Sequence, residues 1–149
     1  MAVRCFLDAI LRSREKGIDD FDTVRILESA FNRLFLAVEH LSNAMVLREE
    51  GNYSKKHFGD FNKLKDFKEK YGIDLAKSYQ TTYRFRSYAD YRKFPEIEDT
   101  FDMKHLHEQI GVIKALVISC LNLFKEEDFK ELISLFNARM STIQDDNHK

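Results

Sequence analysis

The chain has 149 residues, 44% of them apolar, which suits one domain with its own core. Lys and Arg number 24 against 25 Asp and Glu, so a net charge of −1 excludes a global pull toward nucleic acid or anionic lipid, and any polyanion site has to be local. Charged residues make up 33% of the chain, its start is amphipathic and not leader-like, and no apolar run approaches the ~18 residues that span a bilayer; a cytoplasmic protein with no membrane partner is expected.

A single proline, five glycines and the lack of alternating β-branched runs predict an all-α fold. The expected architecture is an antiparallel up-and-down four-helix bundle with additional short terminal helices, residues 1–140 forming one domain and 141–149 a polar tail. The opening MAVRCFLDAILRSREK reads as a helix ending near 16. Gly17, Gly51 and Gly72 each follow a charged or amphipathic segment, where a helix places its left-handed residue, so helices should end near 16, 50 and 71.

Residues 20–50 carry Val24, Leu27, Phe31, Leu34, Phe35, Val38, Leu41 and Met45 at steps of three and four, the stripe of a long central helix. HFGDFNKLKDFKEKY then predicts a shorter helix opened by His57, with Phe58, Phe61, Leu64, Phe67 and Tyr71 on one face. Asp74 should cap a fourth helix to about Ala89, striped by Leu75, Tyr79, Thr82, Phe85 and Ala89. Pro95 breaks the pattern. Thr100 is the expected cap of a fifth, fully packed helix with Met103, Leu106, Ile110, Ile113, Val117, Cys120 and Phe124, and a sixth should run over 126–138.

Motifs for known chemistries are mostly missing. No GxxxxGK[ST] or GxGxxG loop occurs, and no paired Glu-x-x-His ligands. His105 and His107 stand about 200° apart on a helix and cannot share an ion. His40 and His57 read as hydrogen-bonded structural residues, and Cys5 and Cys120, far apart in sequence, as reduced thiols. No metal and no cofactor is expected.

Residues 83–94, YRFRSYADYRKF, are the exception. Arg84, Arg86, Arg92 and Lys93 stand against one carboxylate, Asp90, among Tyr83, Phe85, Tyr88, Tyr91 and Phe94. At about 100° per residue, Arg86 falls within roughly 60° of Leu75, Tyr79, Thr82, Ala89 and Asp90, on or beside the apolar stripe. An ion pair with Asp90 at the edge of the core is one reading. Phosphate held by guanidinium groups, with unpaired bases stacked on rings, is the other, and it points to RNA or a nucleotide.

SAFNRLFLAVEHLSNAMVLREEGNYSKKHFGDFNKL, followed by YRFRSYADYRKF and a long apolar helix, resembles the HEPN domain over roughly residues 20–124. The matching pieces are the aromatic-rich helix at 31–35, the turn Ser54-Lys55-Lys56-His57 and the motif Arg86-Ser87-Tyr88-Ala89-Asp90-Tyr91. This resemblance implies a helical bundle that forms a homodimer, often encoded as the toxin-like partner of a small nucleotidyltransferase. Many such proteins are metal-independent ribonucleases that use Arg-x(4-6)-His at the dimer cleft. Here Arg86 matches, but the histidine position holds Tyr91, and a phenol, which titrates near pH ~10, is a poor base at neutrality.

Two functional expectations follow. One is a ribonuclease with Arg86 and Tyr91 catalytic and Arg84, Tyr88, Asp90, Arg92 and Lys93 binding substrate. The other is a non-catalytic helical dimer that binds a nucleotide or a nucleotidyltransferase through the same surface. A purely structural dimer, with Arg86 paired to Asp90, is the third reading. Because five positions are about 140° of helix, Arg86 and Tyr91 can converge only if the helix ends near Ala89 or across a two-fold axis.

Overall fold

The computed structural model of the chain describes residues 1–13, 20–123 and 138. The helix expected over 126–138 falls, but for Ala138, outside these residues, as do the end near 16, Gly17, Phe124 and the 141–149 tail. Regular structure among the described residues is all helical, as the sequence indicates. In chain order it comprises α1 (Ala2–Ser13), α2 (Asp20–Glu50), α3 (Phe61–Tyr71), α4 (Leu75–Tyr91), a 3-10 segment (Pro95–Thr100) and α5 (Met103–Leu123).

α2 is the hub, packed by α1, α4 and α5. That position explains its wide apolar band, in which Leu27, Phe31, Leu34, Phe35, Val38, Leu41 and Met45 are all buried. Contacts with α4 fix the direction of that helix. Glu28 meets Arg92, Phe31 stacks on Phe85, Phe35 packs on Tyr83 and Glu39 accepts from Tyr79, so partners descend along α4 as they ascend along α2. The two helices are antiparallel. At the far end of α2 the Arg48 guanidinium donates to the Leu123 carbonyl, 3.2 Å away, so α2 and α5 finish at the same end of the bundle.

Helix ends follow local chemistry. Gly51 and Gly72 take positive φ, +79° and +71°, directly after Glu50 and Tyr71 as expected. The Asp74 carboxylate accepts from the Lys77 N–H at 3.1 Å and caps α4. Every residue of the expected α4 stripe, Leu75, Tyr79, Thr82, Phe85 and Ala89, is buried.

Five details depart from expectation. The third helix starts at Phe61, not His57, because Phe58 takes a left-handed φ of +61° that no helix accommodates. α4 runs on past Ala89 to Tyr91, with Arg92 left-handed after it. Asp102 and not Thr100 caps α5: the Thr100 hydroxyl is spent on the Ile97 carbonyl within the 3-10 segment, while Asp102 accepts from the His105 N–H at 2.8 Å. α5 is not packed all round, since α1 and α2 cover Leu106, Ile113, Val117, Cys120 and Leu121 while Gly111, Val112, Ala115 and Ser119 are exposed. By length and composition α5 is also apolar enough to cross a membrane, although no run of that kind was expected.

Candidate functional site

All four cations of the 83–94 segment lie over aromatic rings. Arg84 sits 5.2 Å from the Phe94 centroid, Arg86 4.9 Å from Phe35, Arg92 4.9 Å from Tyr88 and Lys93 5.7 Å from Tyr91. The mixture of rings and charges is therefore in large part an internal set of cation–π pairs. Phe85 lies deeper, stacked on Phe31 at 4.3 Å with the planes 3° apart. Tyr88 packs edge-on against Phe101.

The cations differ in what else holds them. Arg92 spends its guanidinium on the Tyr88 and Ala89 carbonyls at 2.9 and 3.0 Å and on Glu28 at 2.9 Å, which ties the left-handed end of α4 to α2. Arg84 and Lys93 are exposed. The Arg86 side chain is 26% exposed, and its Nε lies 3.4 Å from Asp90 Oδ2; among the described residues it has no other polar partner. Tyr91 is 71% exposed. With α4 regular through Tyr91, Arg86 and Tyr91 leave the helix about 140° apart, and one chain does not bring them together.

What the fold does bring to Arg86 lies elsewhere in the sequence. Phe35, under the guanidinium, also meets the His57 imidazole edge at 5.6 Å and Tyr83 at 5.7 Å. One turn along α2, Glu39 Oε2 accepts from His57 Nδ1 at 2.6 Å and from the Tyr79 hydroxyl at 3.2 Å. Because a carboxylate only accepts, the imidazole donates to it from Nδ1. The Tyr79 hydroxyl takes in turn the Phe58 N–H at 3.4 Å. Desolvation first, with the neighbouring Glu39 charge adding to it, pushes the Tyr79 phenol up to about 12, so it stays a neutral donor.

Along the seam where α4 packs on α2, beside the loop 51–60, the fold thus brings together an arginine, an oriented histidine, and the rings of Phe35, Tyr79 and Tyr83, with Phe58 in contact with both tyrosines. Sequence reading found Arg86 and treated His57 as structural; Glu39 was missed. The signal available was the one-turn spacing of Phe35 and Glu39, which sets both on the face of α2 that α4 covers. Among the described residues no group of three or more His, Cys, Asp or Glu could hold a metal. Both cysteines are free and buried, and desolvation raises the Cys120 thiol to about 12, which makes it an inert core residue.

Comparison with protein-family models, with curated proteins and with solved structures gave no match to this chain.

Proposed function

We propose that the chain is a HEPN-like protein that binds single-stranded RNA over the seam between α2 and α4, with Arg86 taking a backbone phosphate. The observation that carries this reading is the state of that arginine. It rests on the Phe35 face with one carboxylate contact of 3.4 Å, from an exposed residue of its own helix. Such an intrahelical pair is worth about 0.3–0.5 kcal/mol, whereas a charge-assisted hydrogen bond to an anion is worth about 1.5–3 kcal/mol. Phosphate therefore displaces Asp90.

Arg84 and Lys93 add positive charge at the rim, and Phe58, Tyr53 and Tyr91 are exposed rings on which unpaired bases can stack. Arg92 contributes by holding the end of α4 and not by direct contact. In this proposal two copies pair, and the exposed Tyr91 of one approaches Arg86 of the other. A nucleotidyltransferase is the proposed protein partner, docking as part of a toxin-like pair.

Fluorescence anisotropy with a labelled single-stranded oligoribonucleotide tests the reading. Arg86→Ala is expected to weaken binding about tenfold or more at fixed salt. Arg84→Ala should have a smaller effect. Equal affinity for wild type and Arg86→Ala would remove Arg86 as the phosphate ligand.

A further inference from the structure

We infer that the pocket between α2, α3 and the loop 51–60 reads a base of the bound RNA: a uracil or guanine lies on Phe58 at the mouth, and its carbonyl oxygen enters to meet the Ser42 hydroxyl. The inference rests on the RNA-binding reading and adds base preference to it. Ser42 carries it. This residue lies on α2, one turn beyond Glu39, is 2% exposed, and its Oγ has no hydrogen-bond partner among the described residues. A serine or threonine inside a helix commonly satisfies itself on the carbonyl one turn back, as Thr82 does on Ser78 at 2.7 Å. Ser42 does not, and a buried hydroxyl left unpaired costs stability. It lines the pocket together with Asn43, Lys56, Phe58, Asp60 and Tyr79, among others.

Size decides what enters. With its mouth the pocket measures about 240 Å³, but its interior gives the centre of a water-sized group only about 10 Å³. That admits one projecting atom and no ring. The ring has to stay at the mouth, where Phe58 is 36% exposed. A left-handed φ of +61° and edge-on contacts with Tyr79 at 5.0 Å and Tyr83 at 4.8 Å hold the Phe58 ring in place. Tyr83 and Arg86 both rest on Phe35, so the mouth and the proposed phosphate ligand belong to one aromatic cluster.

Polarity decides which atom it is. The acceptors of the lining are already engaged: Asp60 Oδ2 takes the Ser54 N–H at 2.6 Å and Oδ1 faces Lys63 Nζ at 3.5 Å, while the Tyr79 hydroxyl takes the Phe58 N–H and donates to Glu39. What remains is the Ser42 hydroxyl, the Asn43 amide and the Lys56 cation. Hydroxyl and amide can donate or accept, and the cation only donates. The balance favours an incoming acceptor. The carbonyl oxygen at C4 of uracil or C6 of guanine supplies one, whereas adenine carries an amino group at that place.

A hydroxyl satisfied by one trapped water, with no part in recognition, is the competing account, and base preference separates the two. In anisotropy titrations the wild type is expected to bind a short oligouridylate about tenfold tighter than an oligoadenylate of equal length. Ser42→Ala should bring that ratio close to one by weakening the uridylate alone, with a melting temperature no lower than wild type because the unpaired hydroxyl is gone. Arg86→Ala should weaken both oligomers and keep the ratio. An oligomer whose uracils lack the 4-oxygen probes the same contact without a substitution, and the wild type should bind it as weakly as the adenylate. An undiminished uridylate preference in Ser42→Ala, or a lowered melting temperature with that preference intact, would overturn the inference. So would a wild type that binds uridylate and adenylate equally through Arg86, a result that leaves the RNA-binding reading standing. Failure of the wild type to bind any of these RNAs would overturn that reading, and the inference with it.

Discussion

Phe58 and Gly59 set the position of His57. Phe58 spends backbone strain to turn the chain, and Gly59 lets it close: a Cβ at Gly59 would stand 2.1 Å from Ser54 Oγ and 2.5 Å from Ser54 Cβ. Ser54 cannot move freely, because its N–H donates to Asp60 Oδ2 at 2.6 Å. Gly59→Ala is thus expected to destabilise the protein by about 1–3 kcal/mol in urea unfolding, and to loosen the His57 contact with Glu39. At this scale the sequence was informative about Arg86, whose helical angle set it beside the stripe Leu75, Tyr79, Thr82. It was silent about the His57–Glu39 pair. Those residues are 18 apart, joined through a loop whose course depends on a left-handed phenylalanine, and periodicity cannot see such a contact.

Helix termini show why some boundaries could be read and others could not. Gly51 and Gly72 mark their helix ends because only a residue without a Cβ adopts positive φ at little cost. The end of α4 has no such marker. Arg92 takes φ +54° and supplies its own side chain to the Tyr88 and Ala89 carbonyls, a substitute for glycine that composition does not announce. Thr100 and Asp102 are both good capping residues, and the choice between them was made by the 3-10 segment, which uses the threonine hydroxyl first.

Between elements, Glu49 clamps the end of α2 to α3. Its Oε2 takes Lys70 Nζ at 2.8 Å and its Oε1 takes the Tyr71 hydroxyl at 2.5 Å; these two bonds, Lys70 first, hold the carboxyl below its ordinary range. A carboxylate lowered in the folded state stabilises it above the ordinary carboxylate range, and that contribution is lost as pH falls through the folded value. Asp102 behaves in the same sense through the His105 N–H and ring. Thermal midpoints are accordingly expected to fall from about pH 5 to about pH 3, and to fall less in Glu49→Gln. An identical acid dependence in that variant would remove Glu49 as a contributor.

On the scale of the whole molecule, the opposed directions of α2 and α4 bring the site residues together. α4 must lie antiparallel to α2 for Phe35 and Glu39 to face Arg86, Tyr83 and Tyr79, and the loop 51–60 must fold back over α2 to deliver His57. The helical bundle was legible from glycine placement and the three- and four-residue spacing of the core. The partly exposed α5 was not: its apolar residues run further round the helix than its neighbours in the described structure cover, and an apolar stripe on paper looks the same whether or not a partner lies against it.

The central proposal is that single-stranded RNA binds over the α2–α4 seam against Arg86. A two-dimensional ¹⁵N–¹H NMR titration with a short single-stranded oligoribonucleotide tests it most directly. Shifts are expected to concentrate on 54–58, Tyr79, Tyr83, the Arg86 Nε–H and Asp90, and to vanish there in Arg86→Ala. Shifts confined to other faces of the bundle, or none at saturating RNA, would contradict the account.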